Sequence, residues 1–135
     1  MSDINLIADA SALLNLYQTQ YTQTDKLWGY FTTITLAILG FAIGSEKATK
    51  TLKESSLIVG GYIIFCIGNY SALSKAQEQL IVFASHATEY SIKAGIPFTN
   101  LHPFNVEWLS YFYFSVVASV SASIIAINRW RNKNT

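Results

Sequence analysis

Three long stretches without a charged residue constrain this sequence more than any other feature. They cover residues 27–45, 55–74 and 108–128, and are 19, 20 and 21 residues long. An α-helix rises about 1.5 Å per residue, so each stretch is long enough to cross the roughly 30 Å hydrocarbon core of a bilayer. A soluble domain of 135 residues cannot bury three helices that are apolar on every side. The sequence therefore predicts an all-α membrane protein with three transmembrane helices.

The basic residues are divided unevenly between the two sides of the predicted membrane domain. Lys26, Lys75 and Lys93 fall on the side of the N-terminus. The other side carries twice as many cations, in the 46–54 loop and the C-terminal tail: Lys47, Lys50, Lys53, Arg129, Arg131 and Lys133. Cytoplasmic segments are the richer in Lys and Arg. We therefore expect a multi-pass protein of the bacterial inner membrane, with its N-terminus outside and its C-terminus inside.

Two of the predicted helices continue beyond their apolar stretches. Residues 3–28 contain neither Gly nor Pro, and a stripe with helical spacing follows one face: Ile7, Ala10, Leu14, Tyr17 and Tyr21. A second stripe follows the second span: Leu73, Ala76, Leu80, Phe83, Ala87 and Tyr90. Both extensions fall on one side, so we predict that helices 1 and 2 extend beyond the bilayer as an antiparallel hairpin. The alternative is that residues 3–21 lie flat on the membrane. It is less favoured because this segment has no Lys or Arg to meet anionic headgroups.

These patterns describe one integral membrane domain, residues 1–135. Its predicted parts are an extramembrane helix (1–26), TM1 (27–45), TM2 (55–74), a second extramembrane helix (75–94), a loop (95–105), TM3 (108–128) and a basic tail (129–135). Lys93, Gly95 and Pro97 predict the end of the second long helix, and Asn105 is expected to cap the third. A hairpin of two narrow stripes leaves apolar surface exposed, which favours assembly into a homo-oligomer.

Catalytic and metal-binding motifs are not visible in the sequence. His86 and His102 lie sixteen residues apart, with no Cys or carboxylate at the spacing of metal ligands. His86 and Glu89 are more simply explained as parts of a solvated helix face. We therefore expect no enzymatic activity, no metal and no cofactor. The three spans contain no Asp, Glu, Lys, Arg or His, which argues against proton-coupled transport.

Hydroxyl and small residues form lines along the spans. Ser115, Ser119 and Ser123 repeat every four residues, and Gly40 and Gly44 form a GxxxG step. In lipid such lines allow helices to pack closely. Alternatively, the serine line faces a water-filled pore, for which the further candidates are Thr32, Thr35 and Asn69. Three helices are too few to enclose a channel, so a pore requires a homo-oligomer.

The cations of the short loop and the tail are candidates for a second site. They are explained most simply as the determinant of topology. The functional alternative is a ring that binds phosphate, multiplied by the number of subunits. It would hold a nucleotide, an oligonucleotide or an anionic lipid through Lys47, Lys50, Lys53, Arg129, Arg131 and Lys133.

The run Asp25-Lys26-Leu27-Trp28-Gly29-Tyr30-Phe31, leading into Leu39-Gly40-Phe41, carries a family resemblance. It resembles the opening of small multi-span membrane proteins from bacterial anti-phage defence operons, such as the membrane effectors of Hailong systems. The resemblance covers residues 17–45, with a similar length and number of spans, and no ligand-binding residue carries over. It implies an oligomeric ion channel, a nucleic-acid-like ligand made by a nucleotidyltransferase partner, and depolarisation of the infected cell on opening.

Two other functions fit the same pattern. A phage holin-like pore shares the three spans and the basic C-terminus. A non-conducting membrane scaffold subunit would instead dock a partner protein through residues 3–24 and 75–93.

Overall fold

A computed structural model describes residues 2–96 and 101–134, with side chains described from Ile4 onward. Within these residues 87% of the chain is helical and no strand is present. The elements are α1 (Ser2–Gly44), α2 (Leu52–Lys93) and α3 (Val106–Lys133). All three helices are long and apolar enough to cross a membrane, which confirms the all-α class and the three candidate spans.

The apolar side chains of these helices mostly face outward. In the most apolar 18-residue window of each helix, only 17–22% of the residues are buried within the protein. Leu36 on α1 and Ile64 on α2 are 64% and 74% exposed, whereas Asn69 and Asn128 are buried. Exposing large apolar side chains along whole helices is unfavourable in water. This distribution therefore suits a protein surrounded by lipid.

The chain divides into two compact units. The first contains Met1–Leu27 and Ala72–Leu109, and the second contains Trp28–Ser71 and Ser110–Thr135. Helices α1 and α2 each contribute one part to each unit, so neither unit is a continuous piece of sequence.

In the first unit, α2 presents four of the six residues of the predicted stripe to the interior, whereas Phe83 and Tyr90 are only partly buried. Leu73, Ala76, Leu80 and Ala87 are all buried. The stripe on α1 differs from the prediction, because Ala10 is buried but Ile7 and Tyr21 are 47% and 56% exposed. The inward line of α1 shares Ala10 with the predicted stripe but continues through the polar side chains of Gln20, which is partly buried, and Thr24, which is buried.

Hydrogen bonds allow these two polar residues to lie in the interior of the first unit. Gln20 Nε2 donates to the carbonyl of Ala76 at 3.2 Å. Thr24 Oγ1 donates to the carbonyl of Gln20 at 2.9 Å, and Thr24 is 4% exposed. A buried polar group whose bonds are made costs little, so apolar spacing alone does not identify this face.

The ends of α2 and α3 in the first unit are set by local signals. The amides of Gly95 and Ile96 bond the carbonyls of Ile92 and Ser91 at 3.1 and 3.0 Å. Gly95 has a φ of +68°, the left-handed conformation that this C-terminal cap requires. Asn105 Oδ1 accepts the amide of Trp108 at 2.7 Å, so the predicted caps at Gly95 and Asn105 are confirmed. The predicted contribution of Pro97 lies outside the described residues.

In the second unit, a reciprocal cap starts α2 after a turn over residues 45–51. Thr51 Oγ1 accepts the amide of Glu54 at 3.1 Å, and Glu54 Oε2 accepts the amide of Thr51 at 3.1 Å. This exchange satisfies two amide donors at the start of the helix and fixes where α2 begins.

Candidate functional site

The interior of the second unit contains a set of buried polar side chains that join its helices. Thr35 Oγ1 on α1 and the hydroxyl of Tyr62 on α2 are 2.8 Å apart. The hydroxyl of Tyr113 on α3 accepts Asn69 Nδ2 at 3.1 Å and donates to the carbonyl of Cys66 at 2.9 Å. We call these five residues the polar core. Each is at most 9% exposed, so hydrogen bonds hold α1, α2 and α3 together from within.

Aromatic rings surround the innermost hydroxyl of the polar core. The ring of Tyr113 stacks on Phe31 at a centroid distance of 4.2 Å. Trp28 and Tyr70 lie 6.2 and 5.3 Å from the same ring. The hydroxyl of Tyr70 forms a hydrogen bond with Ser110 Oγ, again between α2 and α3. This enclosure keeps the polar core away from the surface of the unit.

The structure does not bring the six predicted pore-lining residues together. Thr35 and Asn69 belong to the polar core, where they are 7% and 9% exposed. Ser115, Ser119 and Ser123 lie on an exposed face of α3, and Thr32 is exposed on α1.

The exposed hydroxyls are bonded within their own helices. Ser115, Ser119 and Ser123 each donate to the carbonyl four residues earlier, at 2.6, 2.8 and 2.8 Å. Thr32 Oγ1 donates in the same way to the carbonyl of Trp28 at 2.9 Å. With their donors satisfied, these side chains can face lipid, another subunit or water without leaving a polar hydrogen unpaired.

The glycines of the spans do not mediate close packing inside the protomer. Gly40, Gly44, Gly61 and Gly68 are all exposed. A Cβ added at any of them would meet no other atom within 4 Å. The close approach that a GxxxG step permits therefore requires another molecule at this surface.

One of the six predicted anion-binding cations caps a helix of its own protomer. The guanidinium of Arg131 donates to the carbonyls of Ala42, Ile43 and Ser45 at 3.2, 2.6 and 2.9 Å, and also bonds Thr49 Oγ1. These carbonyls lie at the C-terminal end of α1, which has no basic residue in its last turn. A cation there satisfies carbonyls that lack helical partners and opposes the helix dipole.

Asn128 reinforces this contact between α3 and the turn. Its Nδ2 donates to the carbonyl of Thr49 at 2.7 Å, and Asn128 and Thr49 are 2% and 0% exposed. The turn over residues 45–51 therefore packs against the C-terminal end of α3.

This packing gathers the other predicted cations at one end of the second unit. We call the exposed members the basic rim: Lys47, Lys50, Lys53, Arg129 and Lys133. Glu46 lies in the same turn, and the carboxylate of Glu54 is engaged by the amide of Thr51. The basic rim is thus a concentration of positive charge on the surface of the second unit.

Glu89, considered above as part of a solvated helix face, has a local role in the first unit. Glu89 Oε1 accepts Lys93 Nζ at 2.8 Å, and this bond lowers the pKa of Glu89 and raises that of Lys93. Among the described residues, no group of three or more His, Cys, Asp or Glu is arranged to hold a metal.

Thr35 and Asn69 were predicted as pore-lining candidates, and their partners Tyr62 and Tyr113 were not predicted. The cap that Arg131 forms on α1 was not predicted either. Asn69, an isolated Asn within an apolar run, was the available signal for the bond to Tyr113, because such a side chain needs a buried partner.

Comparison with known proteins finds no matching family, no matching curated protein and no matching solved structure.

Proposed function

We propose that this protein is an oligomeric ion channel of the bacterial inner membrane that acts as a membrane-depolarising effector in anti-phage defence. The observation that carries the channel is the exposed serine line of α3, a polar strip more than two turns long on a helix whose other outward side chains are largely apolar. A line of hydroxyls on such a helix is suited to face water in a pore built by several copies.

The predicted pore-lining residues divide into a buried pair and an exposed set. Thr35 and Asn69 bond within the protomer and hold its helices together. The exposed set, Ser115, Ser119 and Ser123 on α3 and Thr32 on α1, remains for the pore wall. Each subunit would contribute one α3 to the lumen, and the outward apolar side chains would meet lipid or neighbouring subunits.

The basic rim supports an anionic regulator. Five exposed cations per subunit, repeated around a ring, would create a strong positive potential that attracts phosphate groups. A nucleotide or oligonucleotide made by a nucleotidyltransferase partner would fit this potential and would control opening. The defence role and the partner rest on the family resemblance carried by residues 25–31 and 39–41.

The same charge distribution supports the proposed orientation. The basic rim would lie in the cytoplasm, where the ligand is made, and the N-terminus outside. The predicted extramembrane segments, residues 1–26 and 75–94, would then lie on the outer side.

Ion flux from liposomes containing the purified protein tests this function. We expect flux that appears or grows after nuclease treatment, because the treatment removes a bound ligand. A variant with Lys47→Gln, Lys50→Gln and Lys53→Gln should conduct without nuclease. Flux that is equal before and after nuclease would keep the channel but remove the nucleic-acid ligand. No flux in either condition, from a folded oligomer, would refute the channel and favour the scaffold function.

A further inference from the structure

The turn over residues 45–51 has an outer side that carries cations and an inner side that is buried. Lys47 and Lys50 are exposed, whereas Ala48 and Thr49, which lie between them, are buried. This turn separates α1 from α2 and belongs to neither helix. Its position therefore depends on the bonds that its inner side makes, and these bonds also decide where the two lysines lie.

The C-terminal end of α3 has the same two-sided character. Arg129 and Lys133 are exposed, whereas Asn128 is buried and Arg131 is partly buried. Successive residues of a helix point about 100° apart, so the exposed pair and the buried pair lie on different faces of α3. One face therefore contributes cations to the basic rim, and the other is available for contacts within the second unit.

Two side chains of α3 bind the inner side of the turn. Asn128 Nδ2 donates to the carbonyl of Thr49 at 2.7 Å. The guanidinium of Arg131 donates to the carbonyl of Ser45 at 2.9 Å and also bonds Thr49 Oγ1. We call these four residues the clamp, and we call the clamp closed when these bonds are made.

The closed clamp brings the two cation-bearing elements together. Lys50 follows Thr49 in the chain, and Arg129 follows Asn128. Because Thr49 and Asn128 are bonded to each other, one anion with several phosphates can reach both elements while the clamp is closed. A ligand shifts a protein toward the state that it binds better. Such an anion would therefore favour the closed clamp over any arrangement in which the turn and α3 separate.

We propose that the clamp is the switch through which a ligand with several phosphates, bound to the basic rim, controls α3. The bound ligand bridges the turn and α3 and holds the clamp closed, and its removal lets the end of α3 move away from the turn. Ser123 lies five residues before Asn128 on the same helix, so this movement reaches the serine line. The inference deepens the proposed function, on which it rests for the ligand and the pore.

Alkylation of a cysteine on the inner side of the turn tests the clamp. Ala48 is buried there, and Ala48→Cys in a Cys66→Ala background leaves every clamp residue in place. In nanodiscs of phosphatidylcholine, whose headgroups carry no net charge, N-ethylmaleimide should label this variant at least about tenfold faster than Cys66 in wild type, because the clamp opens without the polar core. A short oligoadenylate at about ten times its dissociation constant should slow the labelling about tenfold, because it binds the closed clamp alone.

The matched control for this labelling is Glu46→Cys in the same background, because Glu46 is exposed on the same turn. Oligoadenylate should leave its labelling rate unchanged. Equal slowing at both positions would show that the anion covers the turn without closing a clamp, and would overturn the proposal. No slowing of Ala48→Cys at any oligoadenylate concentration, or labelling no faster than that of Cys66 in wild type, would overturn it as well.

The substitution Asn128→Leu tests the clamp without a new thiol. Leucine has nearly the size of asparagine but donates no hydrogen bond to the carbonyl of Thr49. Loss of one buried hydrogen bond should favour the open clamp about 2- to 10-fold, so ion flux before nuclease treatment should rise by about this factor. Asn134→Leu, which changes an exposed amide at the same helix end, should behave as wild type. Equal flux from Asn128→Leu and wild type before nuclease would refute the clamp.

Labelling and flux together separate the clamp from the channel. Labelling of Ala48→Cys that responds to oligoadenylate, without flux in any condition, would uphold the clamp and refute the channel. Flux that falls when oligoadenylate is added, while the labelling of Ala48→Cys stays constant, would uphold a ligand-gated channel and refute the clamp.

Discussion

Replacing Tyr113 with phenylalanine should loosen the second unit without changing its shape. The substitution removes one hydroxyl from a fully buried ring and leaves the stacking on Phe31 in place. Two bonds are lost, the one accepted from Asn69 Nδ2 at 3.1 Å and the one donated to the carbonyl of Cys66 at 2.9 Å.

The magnitude follows from these two bonds. Hydrogen bonds between helices in membranes contribute about 0.6 kcal/mol on average and about 1.7 kcal/mol at most. Two average bonds give about 1.2 kcal/mol, and the donor of Asn69 left without its acceptor adds to this loss. We therefore expect the free energy of opening to fall by about 1–2 kcal/mol, which corresponds to a roughly 5- to 30-fold larger open population.

The protein carries its own probe for this change. Cys66 is the single cysteine of the chain and is 1% exposed. Its alkylation by a maleimide in liposomes should therefore require opening of the second unit, and should proceed about 5- to 30-fold faster in Tyr113→Phe at the same pH.

The matched control is Tyr111→Phe, two residues earlier on α3. It removes the same kind of hydroxyl, but from a side chain that is 77% exposed. It should label at the wild-type rate. Equal rates for the two variants would refute the claim that hydrogen bonds in the polar core stabilise the unit. Combining Tyr113→Phe with Asn69→Leu should cost less than the sum of the single changes, because the two side chains share one bond.

Three further predictions concern Arg131, Glu89 and Gly61. Arg131→Gln should lower the free energy of unfolding by about 1–3 kcal/mol, because it removes charged donors from the end of α1. Arg129 is exposed, so Arg129→Gln should leave this free energy nearly unchanged, and the rates of Cys66 alkylation compare the two variants. Because Lys93 lowers the pKa of Glu89, their ion pair stabilises α2 at pH values above the ordinary pKa of glutamate, about 4.3. This stabilisation is lost as the pH falls through the lower pKa that Glu89 has in the folded protein. Amide exchange near residue 90 should therefore differ between wild type and Glu89→Gln at pH 7 and converge at low pH. Gly61→Ala should raise the stability of the protomer by about 0.5–1 kcal/mol, since the new methyl group meets nothing within 4 Å; slower Cys66 alkylation would show this, and faster alkylation would contradict it.

Signals local in sequence predicted the helices well. The uncharged stretches indicated three helices able to span a membrane, and Gly95 and Asn105 marked helix ends that the structure confirms. These features depend on residues within one or two turns of each other. Such information is present in the sequence itself.

Features that depend on distant residues were harder to predict. The apolar stripe placed Ile7 and Tyr21 inward, but the observed inward line passes through Gln20, which is partly buried, and Thr24, which is buried, and their polarity concealed this position. Arg131 was assigned to an anion site with its neighbours. Its bonds to residues 42–49 join positions more than 80 residues apart, and no spacing rule reveals such a contact.

The most direct test of the central claim compares ion flux through liposomes containing wild type, Ser119→Leu and Ala118→Leu. Both variants add a leucine to the exposed side of α3, but only Ser119 belongs to the serine line. We expect flux for wild type and Ala118→Leu, and a strong reduction for Ser119→Leu while the oligomer stays intact. Undiminished flux through Ser119→Leu would remove α3 from the pore wall, and the absence of flux from folded wild-type oligomers would contradict the channel altogether.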